Sequence, residues 1–246
     1  AIVIATPQET HYKIAEAAFK LGKPVFCEKP LGASLDDSAA MVAAAEAAGA
    51  VNMVGFNYIR TPASQFARQL IADGVIGDIT WFRGEHTEDF YADPEAPATW
   101  RTTGMANGTM GDLAPHMING ALALMGPIAR VMGLYETVHK ARPGGEVTND
   151  DHAQMMCRFE NGAMGQMYFS RVSGPEHPDY LPFCQGPGHG TGYQDQIIIE
   201  AKDFLEAIET GTPKWPSFRD GHEVNRVIAA TFASADAGTW KDISDF

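Results

Sequence analysis

Across residues 1–56 short, unbroken apolar runs alternate with stretches of helical period. Ile2 to Ala5 is such a run, stopped by Thr6-Pro7, and the segments Val25 to Cys27 and Val51 to Phe56 repeat the pattern. This is how strands covered on both faces read. Between the first two, Ile14, Ala17, Ala18 and Leu21 recur at helical spacing before Gly22, which predicts a helix over 10–21. Ser34 followed by Leu35-Asp36-Asp37 offers a capping hydroxyl and first-turn acids to a second helix, which runs to Ala48 before Gly49. Strand, helix, strand, helix, strand at this spacing predicts a right-handed parallel βαβαβ unit.

Beyond Asn57 to Pro62 the pattern changes, and we place the domain boundary there. Phe66, Leu70 and Ile71 predict a helix over 63–73 that ends at Gly74. Strands are expected over 78–87 and 129–140, and a hairpin over 153–159 and 163–172 turns on Asn161-Gly162. Helices over 114–125, 196–209 and 221–235 would cover one face of the resulting sheet. The second half therefore reads as an α+β domain with a large, mostly antiparallel sheet. The Pro- and Gly-rich stretch 173–192 reads as loop.

Composition narrows the partners. The chain has 246 residues, 45% of them hydrophobic, and 31 acidic against 18 basic residues give a net charge of −13. That sign disfavours nucleic acid and anionic membrane surfaces. The three cysteines, Cys27, Cys157 and Cys184, show no CxxC spacing, which argues against a disulfide framework or thiolate zinc and fits a reducing, cytoplasmic setting. No apolar run approaches the roughly 20 residues that span a bilayer. The first residues already read as a strand within a sheet, so a preceding segment is expected.

Two motifs carry candidate chemistry. Glu28-Lys29-Pro30 follows a strand, as do Thr6-Pro7 and Asn57-Tyr58, and open parallel sheets bind ligands beyond the carboxyl ends of their strands. The alternative is that Glu28 and Lys29 merely solvate a turn, although an X-Pro bond there can be cis and can direct the lysine. Gly111-Asp112-Leu113-Ala114-Pro115-His116 puts Asp112 and His116 four positions apart, on one face of a helix with Pro115 in its first turn. Asp112 could instead be an ordinary first-turn acid and His116 a surface histidine. A lysine, a carboxylate and an imidazole together can move a proton on and off a carbinol oxygen while another group takes the hydride. Gly186 to Gly192 lacks the glycine at position 191 that a dinucleotide loop needs and reads as loop. Asp150-Asp151-His152 and the group His86, Glu88 and Asp89 read as strand-edge or cleft polarity rather than metal ligands.

Taken in order, Thr6-Pro7 with His11, Gly22 to Pro30, Gly55-Phe56-Asn57, Trp100-Arg101, Gly111-Asp112 with His116, Gly221, and Ser234-Ala235 resemble the glucose-fructose oxidoreductase, inositol dehydrogenase and MocA family over almost the whole chain. The resemblance implies an α/β Rossmann-type parallel sheet, incomplete here, over 1–60. An α+β substrate-binding and oligomerisation domain with an open-faced sheet follows over 61–246. The family's Gly-rich fingerprint would lie upstream of Ile2, and further sheet strands would fall after Ser173-Gly174, where either a reduced sheet or their omission is expected, with omission favoured. Ala106-Asn107-Gly108 and Asn119 also depart from the family pattern.

The implied activity is an NAD- or NADP-dependent dehydrogenase of a secondary hydroxyl on a cyclic sugar or polyol, working as a dimer or tetramer. By position, Lys29, Asp112 and His116 would be catalytic and would line the substrate pocket. His116 would act as general base, Lys29 would polarise the oxygen, and Asp112 would orient His116 or hold a hydroxyl. Thr6, Pro7, His11, Glu28, Lys29, Pro30 and Asn57 would contact cofactor, and Trp100 and Arg101 would contact substrate. No metal is implied. Two other activities share these features: elimination or glycoside cleavage through transient oxidation, and a catalytically silent sugar sensor.

Overall fold

The computed structural model describes residues 1–173 and 193–246. Strands β1 (Ile2–Ile4), β2 (Val25–Glu28) and β3 (Asn52–Gly55) form a three-stranded sheet in which both pairings are parallel. Helices α1 (His11–Lys20) and α2 (Leu35–Ala48) make the crossovers, so the βαβαβ unit is present. Ser34 caps α2 by accepting the Asp37 N–H at 3.1 Å, and Gly49 ends the helix at a φ of 57°. The face expected for α1 needs correcting. Its core side is His11, Ala15, Ala18 and Phe19, while Ala17 is exposed and Leu21 is 72% exposed. Leu21 lies past the last helical turn, where the chain swings away from the core.

Helix α3 (Pro62–Ala72) carries no buried residue, and its Phe66 faces outward. The second half then contributes β4 (Trp81–Thr87), α4 (Thr109–Asp112), α5 (Ala114–Met125), β5 (Ile128–Glu136), a small β6 (Ala141–Arg142) and β7 (Gly145–Glu146) pair, β8 (His152–Phe159), β9 (Met164–Ser170), α6 (Tyr193–Thr210), α7 (Phe218–Ala237) and β10 (Lys241–Asp242). The large sheet has the order β10-β5-β8-β9-β4. It is antiparallel except that β4 runs parallel to β9. Strand periodicity carries no information about direction, and here the long path from β4 through α4 and α5 returns the chain to the far side of the sheet.

The Asn161-Gly162 turn joins β8 to β9, with Gly162 at a φ of 89°. On β8, Ala153, Met155, Cys157 and Phe159 are buried and alternate with outward Gln154, Met156 and Arg158. Helices α5 and α7 cover the buried face. The opposite face leaves Trp81, Leu134, Met156 and Met164 exposed. No helix among the described residues is long and apolar enough to cross a membrane. The Gly186 to Gly192 stretch lies outside the described residues.

Helix α6 does not cover this sheet, as its position in the chain suggested, but packs against β3 and the turn that follows it. The reason is both apolar and polar, for Phe204 of α6 packs against Phe26 and Met53 of the parallel sheet and polar contacts add to this. Gln196, Glu200 and Asp203 recur at helical spacing, Asp203 forms an ion pair with Arg60, and Arg60 also donates to the Trp215 carbonyl at 2.8 Å. Glu200 is 2% exposed, and burial together with the nearby Glu28 charge raises its carboxyl to about 8, against the pull of Arg60. The folded chain therefore holds this proton more tightly than the unfolded chain does. Its stabilising effect is complete below the ordinary carboxylate range and is lost as pH rises toward 8. Glu200→Gln is expected to flatten the fall in thermal stability across that window by about 1.4 kcal/mol per pH unit. Melting curves at a series of pH values would read this, and an unchanged slope would count against the buried proton.

Candidate active site

The carboxyl ends of β2 and β3 form one wall of a cavity of about 350 Å³, with Glu28, Lys29, Asn57 and Tyr58 on that side and His86, Glu88, Phe90, Arg101, Asp112 and His116 among the residues facing them. β2 is apolar up to Cys27 because it is covered on both faces, and it turns polar where it leaves the sheet at Glu28. The Lys29-Pro30 bond is cis. His11 stands behind this turn. Its Nε2 is 2.9 Å from the Thr6 carbonyl and its Nδ1 is 3.1 Å from that of Pro30 and 3.2 Å from that of Leu31.

With a relative exposure of 1%, His11 is a clamp between two turns and has no face left for a direct cofactor contact, which corrects its expected role. Thr6 and Pro7 lie at the exposed end of β1, beside the cavity rather than in its lining. Pro30 is buried, and its carbonyl serves His11. Asn57 donates to Gln196 Oε1 at 3.1 Å, which ties α6 to the crevice.

Lys29 is the centre of the site. Its ammonium donates to the Asp112 main-chain carbonyl at 2.8 Å and to Asp112 Oδ1 at 2.7 Å. Burial opposes ionisation of Asp112, but the Lys29 charge and hydrogen bond outweigh it and hold the carboxyl below its ordinary range. Glu28 goes the other way, because burial exceeds the pull of Lys29 and raises its carboxyl.

Asp112 and His116 do not share one continuous helix. α4 ends at Asp112 and α5 starts at Ala114, with Leu113 between them in the right-handed helical region and Pro115 in the first turn of α5. Asp112 holds Lys29. The His116 ring is instead framed by aromatic edges, with Tyr58 at 4.5 Å, His86 at 5.8 Å and Phe56 at 6.4 Å between centroids.

Arg101 lines the cavity, and its guanidinium stacks 4.1 Å over Trp100, which is half exposed and stands outside the lining. Tyr58 joins the lining at the strand end where the sequence placed it, whereas Phe90 and Ile197 were passed over as cavity residues, and His86 and Glu88 were taken only for general polarity. In the structure His86 Nε2 is 3.1 Å from Glu88 Oε1 and its Nδ1 is 3.1 Å from the Leu113 carbonyl, which gives the cavity an acid-imidazole pair. Their spacing of two residues at the end of a strand, which puts both on one side, was the available signal. Asp150 and Asp151 are buried, and His152 faces Glu136 and Tyr168 on the sheet. Among the described residues no group of three His, Cys, Asp or Glu is placed to hold a metal.

A nicotinamide fits this crevice by the chemistry of its walls. Glu28 presents a half-buried acceptor and Asn57 a donor, and Gly55 leaves open the space beside the Glu28 carboxyl group, where a Cβ would stand at a crowded 3.2 Å. A parallel sheet with a polar crevice at its carboxyl end, facing a lysine, a carboxylate and an imidazole, defines a nicotinamide-dependent oxidoreductase.

Comparison with known proteins gives the family. Residues 1–56 match the oxidoreductase family with an NAD-binding Rossmann fold, and residues 64–184 match the GFO/IDH/MocA C-terminal domain. The chain is 33% identical to levoglucosan dehydrogenase of Pseudarthrobacter phenanthrenivorans over 307 residues, covering 98% of this chain and 79% of the relative. It is 26% identical to inositol 2-dehydrogenase of Rhizobium meliloti, covering 96% and 76%. A solved structure of levoglucosan dehydrogenase in complex with NADH and levoglucosan superposes with a TM-score of 0.89 at 34% identity, covering 98% of this chain and 79% of the other. The chain belongs to the Gfo/Idh/MocA family and is an NAD(P)-dependent oxidoreductase.

Proposed function

We propose that this oxidoreductase interconverts a secondary hydroxyl and a ketone on a cyclic sugar or polyol, with Lys29, Asp112 and His116 as its catalytic residues. The observation that carries the reading is the double hold of Asp112 on the Lys29 ammonium within the cavity that His116 also lines. The nicotinamide, when bound, supplies the hydride acceptor or donor. Lys29 places a positive charge beside the carbinol oxygen, which lowers the hydroxyl's pKa and stabilises the alkoxide character that builds up as hydride leaves. His116 takes the hydroxyl proton, since a group with a reference pKa of about 6.5 exchanges protons readily near neutrality. Asp112 keeps the ammonium pointed into the cavity. His86, Glu88 and Arg101 supply acceptors and donors for the other ring hydroxyls. Glu28 and Asn57 hold the nicotinamide, while Thr6, Pro7 and Pro30 shape the edge of its crevice.

In this reading the chain divides near residues 57–62 into a cofactor-binding part that holds the three-stranded parallel sheet and a substrate-binding part that holds the five-stranded sheet. The exposed apolar side chains on the open face of the large sheet support a homo-oligomer. The free, buried thiols of Cys27 and Cys157 suit a reducing, cytoplasmic setting. Absorbance at 340 nm, with NAD and NADP each tested against levoglucosan, aldoses and inositols, tests the assignment on the complete protein. We expect reduction with at least one ring-form sugar or cyclitol. Product formation without net reduction would move the assignment to transient oxidation, and cofactor binding without turnover on any of them would move it to a sensor.

Gly111 gives a further test, because a Cβ there would stand 1.9 Å from the Ala106 carbonyl oxygen. Gly111→Ala is expected to displace α4 and cost about 1–3 kcal/mol of stability, read by thermal unfolding, and it should lower turnover as well.

A further inference from the structure

Below the loop that delivers Arg101 and Asp112 lies a polar cluster of Asn149, Asp150, Asp151 and Arg171, none more than 2% exposed. Three of the four act on the loop at a distance from the chemistry. Arg171 donates to Asp151 Oδ1 at 3.0 Å, to Asn149 Oδ1 at 2.7 Å and to the Arg101 carbonyl at 2.8 Å. Asn149 adds a bond of 3.0 Å to the same carbonyl, and the Asp151 carbonyl accepts the Thr109 hydroxyl at 2.7 Å.

Asp150 acts closer to the site. Helix α4 has Gly108 at its N-cap, so no side chain of its own accepts the first N–H groups of the turn. Asp150 accepts them from outside, its carbonyl taking the Thr109 N–H at 3.0 Å and its Oδ2 taking the Met110 N–H at 2.8 Å. Glycine at 108 is what makes room, since a Cβ there would stand 2.0 Å from Asp150 Oδ1. At the other end of the same short turn, Asp112 presents the two oxygens that bind the Lys29 ammonium.

We infer that Asp150 is a positioning residue for the reaction: by capping the Thr109–Asp112 turn from outside, it fixes the carbonyl and the carboxylate of Asp112 that hold Lys29 in place. The inference rests on the catalytic role proposed above for Lys29. One oxygen of Asp112 belongs to the backbone of the capped turn, so any slip of that turn moves the ammonium directly. A displacement near 1 Å at a reacting group can cost about 10²-fold in rate.

The test uses Asp150→Ala, Asp150→Asn and Gly108→Ala in the complete protein. Asp150→Ala removes the carboxylate acceptor, and Gly108→Ala pushes it off the Met110 N–H. Both are expected to lower kcat by about tenfold to a hundredfold with a smaller change in the sugar KM. Asp150→Asn keeps an oxygen for the Met110 N–H and should restore most of the rate. A second readout needs no turnover. Modification of Lys29 by trinitrobenzenesulfonate, followed by mass spectrometry of its peptide, should become several times faster in Asp150→Ala and Gly108→Ala and stay near wild type in Asp150→Asn. If Asp150→Ala does not fold, Gly108→Ala and Asp150→Asn decide. Wild-type kcat and Lys29 reactivity in Gly108→Ala, or losses in Asp150→Asn equal to those of Gly108→Ala, would overturn the inference. A wild-type protein that oxidises no sugar would instead sink the proposed substrate class and leave the Lys29 reactivity to judge Asp150.

Discussion

Lys29→Met is expected to lower turnover by roughly 10²–10⁴-fold while the affinity for reduced nicotinamide changes little. Methionine keeps most of the apolar stem of the side chain and removes the charge and its N–H donors. Among the described residues the ammonium donates to two oxygens, both of Asp112, and its third hydrogen is the one that would meet a substrate oxygen in the cavity. Without it, an alkoxide forming in a partly buried site would lack its counter-charge, and the Asp112 carboxylate would add repulsion to the loss. His116→Ala should fall in the same range through loss of the general base. Steady-state kinetics on the best sugar, together with a fluorescence titration of NADH, separates the two effects. Turnover near wild type in either variant would remove that residue from the catalytic set.

Arg171→Met should be the most destabilising single change away from the cavity, at about 3–5 kcal/mol. The guanidinium is 2% exposed and is shared among Asp151, Asn149 and two loop carbonyls. Its removal leaves Asp151 as an uncompensated buried charge and releases the Arg101 carbonyl. Urea unfolding would measure the loss. Adding Asp151→Asn to the same chain should recover part of it, because the two side chains form one ion pair at 2.9 Å and their effects are coupled. Strict additivity would argue that the pair contributes little. This cluster was invisible as a cluster in the sequence, where Asp150-Asp151-His152 was weighed as a metal set and read as strand-edge or cleft polarity, and Arg171 did not stand out at all.

Much of the architecture was legible because it is encoded locally. The apolar runs at Ile2, Val25 and Val51 marked the three strands, although β1 is not covered on both faces as its apolar run suggested, since Ile2 and Val3 are exposed and only Ile4 is buried; Ser34 and Gly49 marked both ends of α2, and Asn161-Gly162 located the hairpin. Where reading along the chain fell short, the deciding partner was distant. The parallel pairing of β4 with β9 depends on residues roughly eighty positions apart in the chain, such as Trp81 and Met164. The seat of α6 depends on Arg60, which its Asp203 must reach across the fold. His11 fitted a family pattern as a cofactor residue, yet three backbone carbonyls from two other turns enclose it.

The sequence by itself determined the chemical inventory: a lysine at the end of a buried strand, and an acid and an imidazole near the start of a helix, in the order that marks the family. Local patterns suffice for this because burial, capping and turn chemistry act over a few residues. Only the tertiary structure decided how the inventory is wired. It broke the helix between Asp112 and His116, gave Asp112 to Lys29 and surrounded His116 with Tyr58, Phe56 and His86. Those pairings follow from how two sheets and the capped turn between them bring remote side chains within hydrogen-bonding distance, and no spacing along the chain specifies that distance.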